Sequence, residues 1–227
     1  MLPRFLAPNA AIGKTVTLDA ENSRHARALR IKQGDDVHLF DGQGNEYEAV
    51  VKTIGKTVTV DVLAATSARK PTRDLIIAFS TPKGDRADWL VEKATELGAS
   101  VLIPLTTQRT VVVPSPAKID RWRRVAADAA RQCGRATIPE IVQPTMLDDV
   151  LAEGADVKLL LDSEGKPLLD VAGKARSVLC IIGPEGGLTD EEVSRCVENG
   201  CVLASLGPLM LRIETAAMAA CALLGMK

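Results

Sequence analysis

Residues 178–192 read Val-Leu-Cys-Ile-Ile-Gly-Pro-Glu-Gly-Gly-Leu-Thr-Asp-Glu-Glu. The apolar run Val178–Ile182 has the length and the β-branched content of a buried strand. Thr189 and Glu192 have the spacing of a capping box, in which the two residues satisfy the first N–H groups of a helix. A strand, a glycine-rich loop and a helix in immediate succession predict an α/β fold.

The same alternation extends from this stretch in both directions. The other predicted strands are Leu75–Phe79, Val101–Leu105, Thr110–Val113, Val157–Leu161 and Val202–Leu206. The predicted helices are Asp85–Leu97, Lys118–Cys133, Pro167–Ala175, Asp190–Asn199 and a final helix from about Glu214. Strands that alternate with helices indicate a parallel sheet covered on both faces. Ligands on such sheets bind beyond the carboxyl ends of the strands.

The first 70 residues have a different texture. Short β-rich runs with glycine-containing turns predict a small β-barrel that is interrupted by one helix, about Glu21–Ile31. The predicted strands are Thr15–Leu18, Asp36–Phe40, Tyr47–Ile54 and Thr57–Leu63. Residues 65–71 form a polar stretch with a proline, which suits a linker. We therefore predict one domain over residues 1–70 and a second over 71–227.

Composition excludes several classes of protein. The chain has 227 residues, of which 46% are hydrophobic and 25% charged, as in folded rather than disordered proteins. Its apolar runs are far shorter than the roughly 20 residues of a membrane span, and no secretory signal is visible, so we expect a cytoplasmic protein without a membrane partner. Two histidines and the lack of a Cys-x-x-Cys pair predict no metal site.

The net charge of −1 hides an asymmetry between the two ends of the chain. Residues 1–145 hold 21 Lys and Arg against 16 Asp and Glu, whereas residues 146–227 hold 7 against 13. Charges are screened over about 8 to 10 Å, so local patches matter more than the total. The basic part is therefore predicted to meet a polyanion.

Three segments that follow predicted strands carry the candidate chemistry. Residues 183–187 contain three glycines, which let backbone approach a ligand closely. Their spacing fits neither the P-loop nor the dinucleotide-binding motif. Residues 161–165 and 206–215 also follow strands, and we expect the three segments to line one pocket. Tight turns and surface charges without a ligand would also explain each segment taken alone.

Taken together, these motifs resemble the ribosomal RNA small subunit methyltransferase E family of SPOUT methyltransferases. The resemblance is carried by Gly183-Pro184-Glu185-Gly186-Gly187, Leu206-Gly207-Pro208, Leu211-Arg212, Glu214-Thr215-Ala216, Lys83-Gly84-Asp85-Arg86 and Gln108-Arg109, and it extends to His25, Leu29-Arg30, Phe40-Asp41-Gly42 and the segment from Ala129 to Arg135. It implies a PUA-like RNA-binding barrel, a SPOUT domain with a deep trefoil knot, and a homodimer. Sequence physics would not predict the knot, because knots are nearly absent from proteins.

The resemblance also implies a reaction. The family transfers a methyl group from S-adenosylmethionine to N3 of a specific uridine in 16S ribosomal RNA, the small-subunit RNA, and forms 3-methyluridine. Such an in-line displacement needs no metal, and the alignment of the reactants accounts for about 7 to 11 kcal/mol of the barrier. By resemblance, the cofactor-binding residues are Leu161, Asp162, Gly183, Glu185, Gly186, Leu206, Gly207, Leu209 and Leu211.

The uracil N3 must lose its proton before it becomes a good nucleophile. We expect Arg212 to stabilise the charge that grows on a uracil carbonyl oxygen, and Glu214 is a weaker candidate for the base. The predicted RNA-binding residues, mainly phosphate contacts, are Arg4, Arg24, His25, Arg30, Lys83, Arg86, Arg109 and Arg135. An aromatic content of 3% argues against a platform for stacking single strands, so the expected partner is RNA in an assembled or nearly assembled subunit.

Two positions depart from the family pattern, and they leave alternatives open. Leu209 stands where the family usually has Arg, and Ile213 where it usually has Thr. A non-catalytic RNA-binding or ribosome-assembly factor is one alternative, and binding of S-adenosylmethionine would discriminate it. A SPOUT methyltransferase that acts on another RNA is the second, and analysis of the methylated product would discriminate that one.

Overall fold

The structure is a computed structural model, and it describes residues 2–68 and 71–225. The chain forms two compact units, one of residues 1–70 and 127–138, the other of residues 71–126 and 139–227. Residues 127–138 therefore group with the first unit, although the sequence analysis placed them in the second domain. The reason is backbone pairing, since the Ile138 N–H donates to the carbonyl oxygen of Gly42 at 2.9 Å. Arg69 and Lys70 of the predicted linker lie outside the described residues.

The first unit is built on a five-stranded mixed sheet with the order β1-β3-β4-β5-β2. Strand β1 pairs with β3 in parallel, and the other pairings are antiparallel. Side chains such as Phe5, Leu39 and Val60 are fully buried in its core. The elements are β1 (Arg4–Leu6), β2 (Thr15–Thr17), α1 (Ala20–Ala28), β3 (Asp36–Phe40), β4 (Glu46–Ile54) and β5 (Val58–Thr66). Strand β5 thus continues into the predicted linker.

Helix α1 is fixed to this sheet by one buried hydroxyl. Ser23 Oγ donates to the carbonyl oxygen of Leu18 at 2.9 Å and accepts the N–H of Val58 at 3.1 Å. Asp19 precedes the helix and accepts the N–H of Asn22 at 2.7 Å, as an N-cap residue does. Helix α1 begins one residue before the predicted start, at Ala20 rather than Glu21, and ends three residues before the predicted end, at Ala28 rather than Ile31.

The second unit is built on a seven-stranded sheet in which every pairing is parallel, so the predicted α/β fold is confirmed. The strand order is β12-β10-β11-β6-β7-β8, and β9 also pairs with β7. The elements are β6 (Asp74–Ser80), α2 (Arg86–Glu96), β7 (Val101–Thr106), α3 (Pro116–Cys133), β8 (Glu140–Ile141), β9 (Thr145–Met146), α4 (Leu147–Leu151), β10 (Val157–Pro167), α5 (Leu168–Ala172), β11 (Ser177–Ile182), α6 (Asp190–Glu198), β12 (Cys201–Ser205) and α7 (Ile213–Gly225). No helix within the described ranges has the length and apolar content needed to cross a bilayer.

One predicted strand of this unit is wrong. Residues Thr110–Val113 form a loop, in which Val111 is 76% and Val113 58% exposed. Pro114 and Pro116 follow at once, and proline cannot donate to a strand ladder. The short elements β8, β9 and α4 are too brief to leave a periodic pattern, so the sequence analysis missed them. Helix α5 is also shorter than predicted, because it ends at Gly173 with a φ of 51°.

A close crossing of two chain segments shapes the carboxyl edge of the sheet. Leu161 and Lys166 both pair with Ala204 of β12, so the four residues between them bulge out of β10. A Cβ at Gly165 would lie 2.5 Å from the backbone nitrogen of Ala204 and 2.6 Å from the carbonyl carbon of Leu203. Only glycine fits there. The trefoil knot implied by the family resemblance stays a prediction.

Gly165→Ala is expected to lower the free energy of unfolding by about 2 kcal/mol or more, because the new methyl group meets backbone that cannot move aside. Equilibrium unfolding in urea measures the change. Gly154→Ala is the matched control, since a Cβ at Gly154 meets no atom within 4 Å. We expect this control to change the free energy by less than about 1 kcal/mol. Equal midpoints for the two variants would contradict the close crossing.

Candidate functional site

A cavity of about 640 Å³ opens beyond the carboxyl ends of β11 and β12 and beside the bulge of β10. Its position follows the rule for parallel sheets, and its size is that of a site for a small organic ligand. All nine predicted cofactor-binding residues line it, namely Leu161, Asp162, Gly183, Glu185, Gly186, Leu206, Gly207, Leu209 and Leu211. The structure thus brings together three segments that are separated in the sequence.

The glycine-rich loop 183–187 is held by the start of helix α6. Thr189 Oγ1 accepts the N–H of Glu192 at 3.2 Å, and Glu192 Oε2 accepts the N–H of Thr189 at 2.9 Å, which confirms the predicted capping box. The other oxygen of the buried Glu192 carboxylate accepts the N–H of Gln108 at 2.7 Å. One carboxylate therefore joins the loop after β7 to the helix that follows the glycine loop.

Arg109 fastens the same loop from the other side. Its Nη1 donates to the carbonyl oxygens of Gly186 at 2.7 Å and Leu188 at 3.3 Å. The sequence analysis predicted Arg109 as an RNA contact and missed this supporting role. No local pattern could have shown it, because the two partners lie 77 and 79 residues away.

The segment between β12 and α7 forms the opposite wall of the cavity. Ser205 Oγ accepts the N–H of Gly207 at 3.1 Å, and Gly207 has a φ of 126°, which favours glycine. Leu209 and Met210 line the cavity, yet their side chains are largely exposed at its mouth. Arg212 also lines the cavity, and within the described part of the chain its guanidinium makes no hydrogen bond or ion pair.

Glu214 lies behind this wall. Its side chain is 8% exposed, it is not among the residues that line the cavity, and its Oε1 is 3.4 Å from Nη1 of Arg86. The same nitrogen is 3.5 Å from Oε1 of Glu185, which does line the cavity. The second oxygen of Glu214, Oε2, is buried without a hydrogen-bond partner among the described residues. Arg86 therefore connects one buried and one exposed carboxylate.

Two of the predicted RNA-binding arginines are engaged inside the first unit. The Arg4 side chain is 12% exposed, forms an ion pair with Glu46 at 2.5 Å and lies 5.2 Å from the centre of the Phe40 ring. Its Nη2 also donates to the carbonyl oxygen of Arg135 at 3.3 Å, and Arg135 Nε donates to Thr137 Oγ1 at 2.7 Å. Both side chains therefore help to hold residues 135–138 against the sheet.

The other predicted RNA-binding residues of the first unit differ in whether their side chains already have a protein partner. His25 Nε2 lies 2.5 Å from Nη1 of Arg131, and burial together with the Arg131 charge lowers the pKa of His25. The imidazole is therefore neutral at pH 7 and accepts this hydrogen bond. Arg24 and Arg30 are exposed, and within the described residues their guanidinium groups have no ion pair or hydrogen bond.

The described residues contain no group of three or more His, Cys, Asp and Glu side chains that could hold a metal ion. The carboxylates around the cavity instead pair with Arg86 or accept backbone N–H groups. The polar groups around the cavity are thus backbone groups, carboxylates and arginines.

Comparison with known proteins gives matches over almost the whole chain. A family model described as an RNA methyltransferase domain matches residues 68–225, and one described as an RNA methyltransferase PUA domain matches residues 18–63. The chain is 31% identical to ribosomal RNA small subunit methyltransferase E of Mycobacterium bovis, over 94% of this chain and 87% of that protein. It is 30% identical to the protein of the same name from Bacillus subtilis, over 89% and 86%.

Solved structures also match almost the whole chain. A protein of Legionella pneumophila in complex with the cofactor SAM has a TM-score of 0.90 and 32% identity, and the match covers 99% of this chain and 97% of that one. The ribosomal RNA small subunit methyltransferase E of Neisseria gonorrhoeae, bound to S-adenosyl methionine, has a TM-score of 0.91 and 29% identity, with 98% and 96% covered. These matches include both units.

Glu192→Ala is expected to lower the free energy of unfolding by about 1 to 3 kcal/mol, because it leaves the N–H groups of Gln108 and Thr189 without their acceptor. Urea unfolding measures this loss. Asp190→Ala is the control, since Asp190 lies exposed in the same helical turn and its side chain has no bonded partner in the described ranges. The control is expected to lose less than about 1 kcal/mol. Equal losses of unfolding free energy in the two variants would mean that Glu192 stabilises the helix through its charge alone and not through its hydrogen bonds.

Proposed function

The chain belongs to the ribosomal RNA small subunit methyltransferase E family, and we propose that it methylates N3 of a specific uridine in 16S ribosomal RNA with S-adenosylmethionine as donor. The product is 3-methyluridine. The observation that carries this proposal is the cavity, which gathers all nine residues that the family resemblance assigns to the cofactor. The proteins from Mycobacterium bovis and Bacillus subtilis are 31% and 30% identical to this chain over most of its length. This similarity supports assigning the reaction of these relatives to this protein.

The residues around the cavity fit the methyl donor. Leu161, Leu206 and Leu211 offer apolar surface for a purine ring, and the glycine loops let backbone approach it closely. Asp162 is held in place because its Oδ1 accepts the N–H of Glu164 at 2.8 Å. Its carboxylate is suited to a ribose hydroxyl or an ammonium group. When bound, the donor supplies a sulfonium methyl group, whose C–S bond breaks with the electron pair left on sulfur as the N3–CH₃ bond forms.

Arg212 is proposed as the residue that stabilises the reacting base. The N3 proton passes to solvent water, and negative charge then spreads onto the two uracil carbonyl oxygens. A guanidinium that lines the cavity and has no partner of its own among the described residues can lower the energy of that charge.

Glu214 is proposed as a positioning residue rather than as the base. A carboxylate behind the cavity wall that is paired with Arg86 does not meet the substrate directly. It holds Arg86, and Arg86 in turn holds Glu185 at the cavity. This replaces the role of general base that the sequence analysis considered for Glu214.

The first unit is proposed to bind RNA, through the exposed arginines of helix α1 and the residues after it. Arg24 and Arg30 are the proposed phosphate contacts of this unit, and Lys83 is the proposed contact of the second. Arg4, His25, Arg86, Arg109 and Arg135 are instead proposed to support the structure, since each already has a protein partner. We further propose a homodimer located in the cytoplasm, with RNA in an assembled or nearly assembled small subunit as its substrate.

The decisive experiment incubates the protein with radiolabelled S-adenosylmethionine and small subunits that lack the modification. Digestion of the RNA then identifies the labelled nucleoside. Label in 3-methyluridine at one position would support the proposal. Label in another nucleoside, or binding of the donor without transfer to these subunits, would contradict it.

Arg212→Ala is expected to lower the single-turnover rate of methylation at saturating substrates by about 10²- to 10³-fold, as expected when one donor to a developing oxyanion is lost. Arg212→Lys is expected to recover part of the rate, because it keeps the charge but not the planar fork. Arg176→Ala, which removes an exposed arginine outside the cavity, is the control with an unchanged rate. An unchanged rate in Arg212→Ala would exclude the proposed role.

The double variant Arg24→Ala and Arg30→Ala is expected to weaken RNA binding and to reduce the salt slope, d log K/d log[salt], by about 0.7 to 0.9 for each lost phosphate contact. Binding to small subunits, measured over a range of salt concentrations, gives the slope. Lys14→Ala with Lys56→Ala removes two exposed cations of the same unit and is the control. The same slope in both double variants would contradict a specific phosphate contact by the two arginines.

A further inference from the structure

A second, smaller cleft of about 50 Å³ adjoins the cavity. Ser80 and Thr81, at the end of β6, line it together with the loop after β7. The two spaces share four wall residues, which are Pro184, Glu185, Gly186 and Ile213. A group bound in this cleft is therefore in contact with the wall of the proposed donor site.

The cleft contains two hydroxyl groups that lack partners. Ser80 is 2% and Thr81 8% exposed, and neither hydroxyl oxygen has a hydrogen-bond partner among the described residues. A buried polar group without a partner costs about 1 to 3 kcal/mol, and the large majority of such groups in folded proteins are satisfied. The neighbouring hydroxyl of Thr110 differs, since it accepts the N–H of Thr107 at 2.8 Å. Ser80 and Thr81 are therefore available as hydrogen-bond donors to a group bound in the cleft.

The size and chemistry of the cleft suit one edge of a pyrimidine. A water molecule needs about 10 to 15 Å³ of such space, so the cleft accepts roughly three to five non-hydrogen atoms. The imide edge of uracil presents three polar atoms, O4, N3 and O2. A hydroxyl can donate to either carbonyl oxygen, and Pro82, Val111 and Ile213 offer apolar surface to the ring.

The rim of the cleft carries a cation. Lys83 lines the cleft and is exposed, and no ion pair engages its ammonium group in the described part of the chain. A base that enters the cleft brings its own phosphate groups to the rim, where an ammonium group is favourable. The cleft therefore combines hydroxyl groups and apolar side chains, and the Lys83 ammonium group and the exposed Glu185 carboxylate both line it.

We propose that this cleft is the subsite for one carbonyl edge of the target base, in which the hydroxyls of Ser80 and Thr81 donate to one uracil carbonyl oxygen, while N3 and the second carbonyl oxygen face the adjoining cavity that Arg212 lines. The inference rests on the proposed function and names two further positioning residues for it.

The double variant Ser80→Ala and Thr81→Val tests the subsite by kinetics. We expect kcat/KM for small subunits to fall by at least about tenfold, while the affinity for S-adenosylmethionine changes by less than about twofold. The free energy of unfolding is expected to stay the same or rise, because two unsatisfied buried groups are removed. Thr81→Ser is expected to keep the activity. Thr106→Val is the control, since Thr106 ends the adjacent strand β7 and lines neither space. Wild-type kcat/KM in the double variant would overturn the proposal.

A binding experiment separates this inference from the proposed function. The probe is uridine 5′-monophosphate, titrated into protein loaded with S-adenosylhomocysteine, and the signal is the methyl resonance of Thr81. A saturable shift with the uridine nucleotide and none with adenosine 5′-monophosphate would support the subsite even if no 3-methyluridine forms on the ribosomal RNA. Methylation by the wild-type protein, together with an unmoved Thr81 resonance, would keep the proposed function and reject the subsite.

Discussion

The contact of backbone with backbone at Gly165 is the constraint on which the rest of the site depends. Strand β10 can continue beside β12 after its bulge only because position 165 has no side chain. The bulge carries Asp162 and its neighbours to the edge where the loops after β11 and β12 also end. A methyl group at this position would collide with the backbone of Leu203 and Ala204.

Around this edge, charged side chains divide into those that build the site and those that remain free. Glu192 and Arg109 hold the glycine loop by hydrogen bonds to backbone, and Arg86 is shared by Glu185 and Glu214. Because these groups are already paired, they stabilise the loops at little cost in desolvation when a ligand enters. Arg212 and Lys83 have no such pairing within the described residues, and they are the cations left to act on a substrate.

The sequence predicted what is encoded locally. The strand Val178–Ile182 and the capping box at Thr189 follow from short patterns, and the structure confirms both. The nine residues that the family resemblance assigns to the cofactor all lie on the wall of one cavity. Long-range partners could not be predicted in this way. The carbonyl oxygens that Arg109 binds lie more than 70 residues away, and Ile138 and Gly42, which pair through their backbones, lie 96 positions apart. The exposed segment Thr110–Val113 is the opposite case, because its β-branched residues predicted a strand locally, whereas the structure has a loop outside the sheet.

Three loops line the cavity, namely the bulge of β10 and the loops after β11 and β12. A molecule held by all three loops acts as a non-covalent crosslink between parts of the chain that are about 50 residues apart in sequence. Since the unfolded chain has no such cavity, bound ligand adds to stability by mass action, by about 2.7 kcal/mol when its free concentration is 100 times its dissociation constant. The folded lifetime of the second unit inside a cell would then follow the supply of its ligand, so that the protein persists longest when there is methyl donor to use.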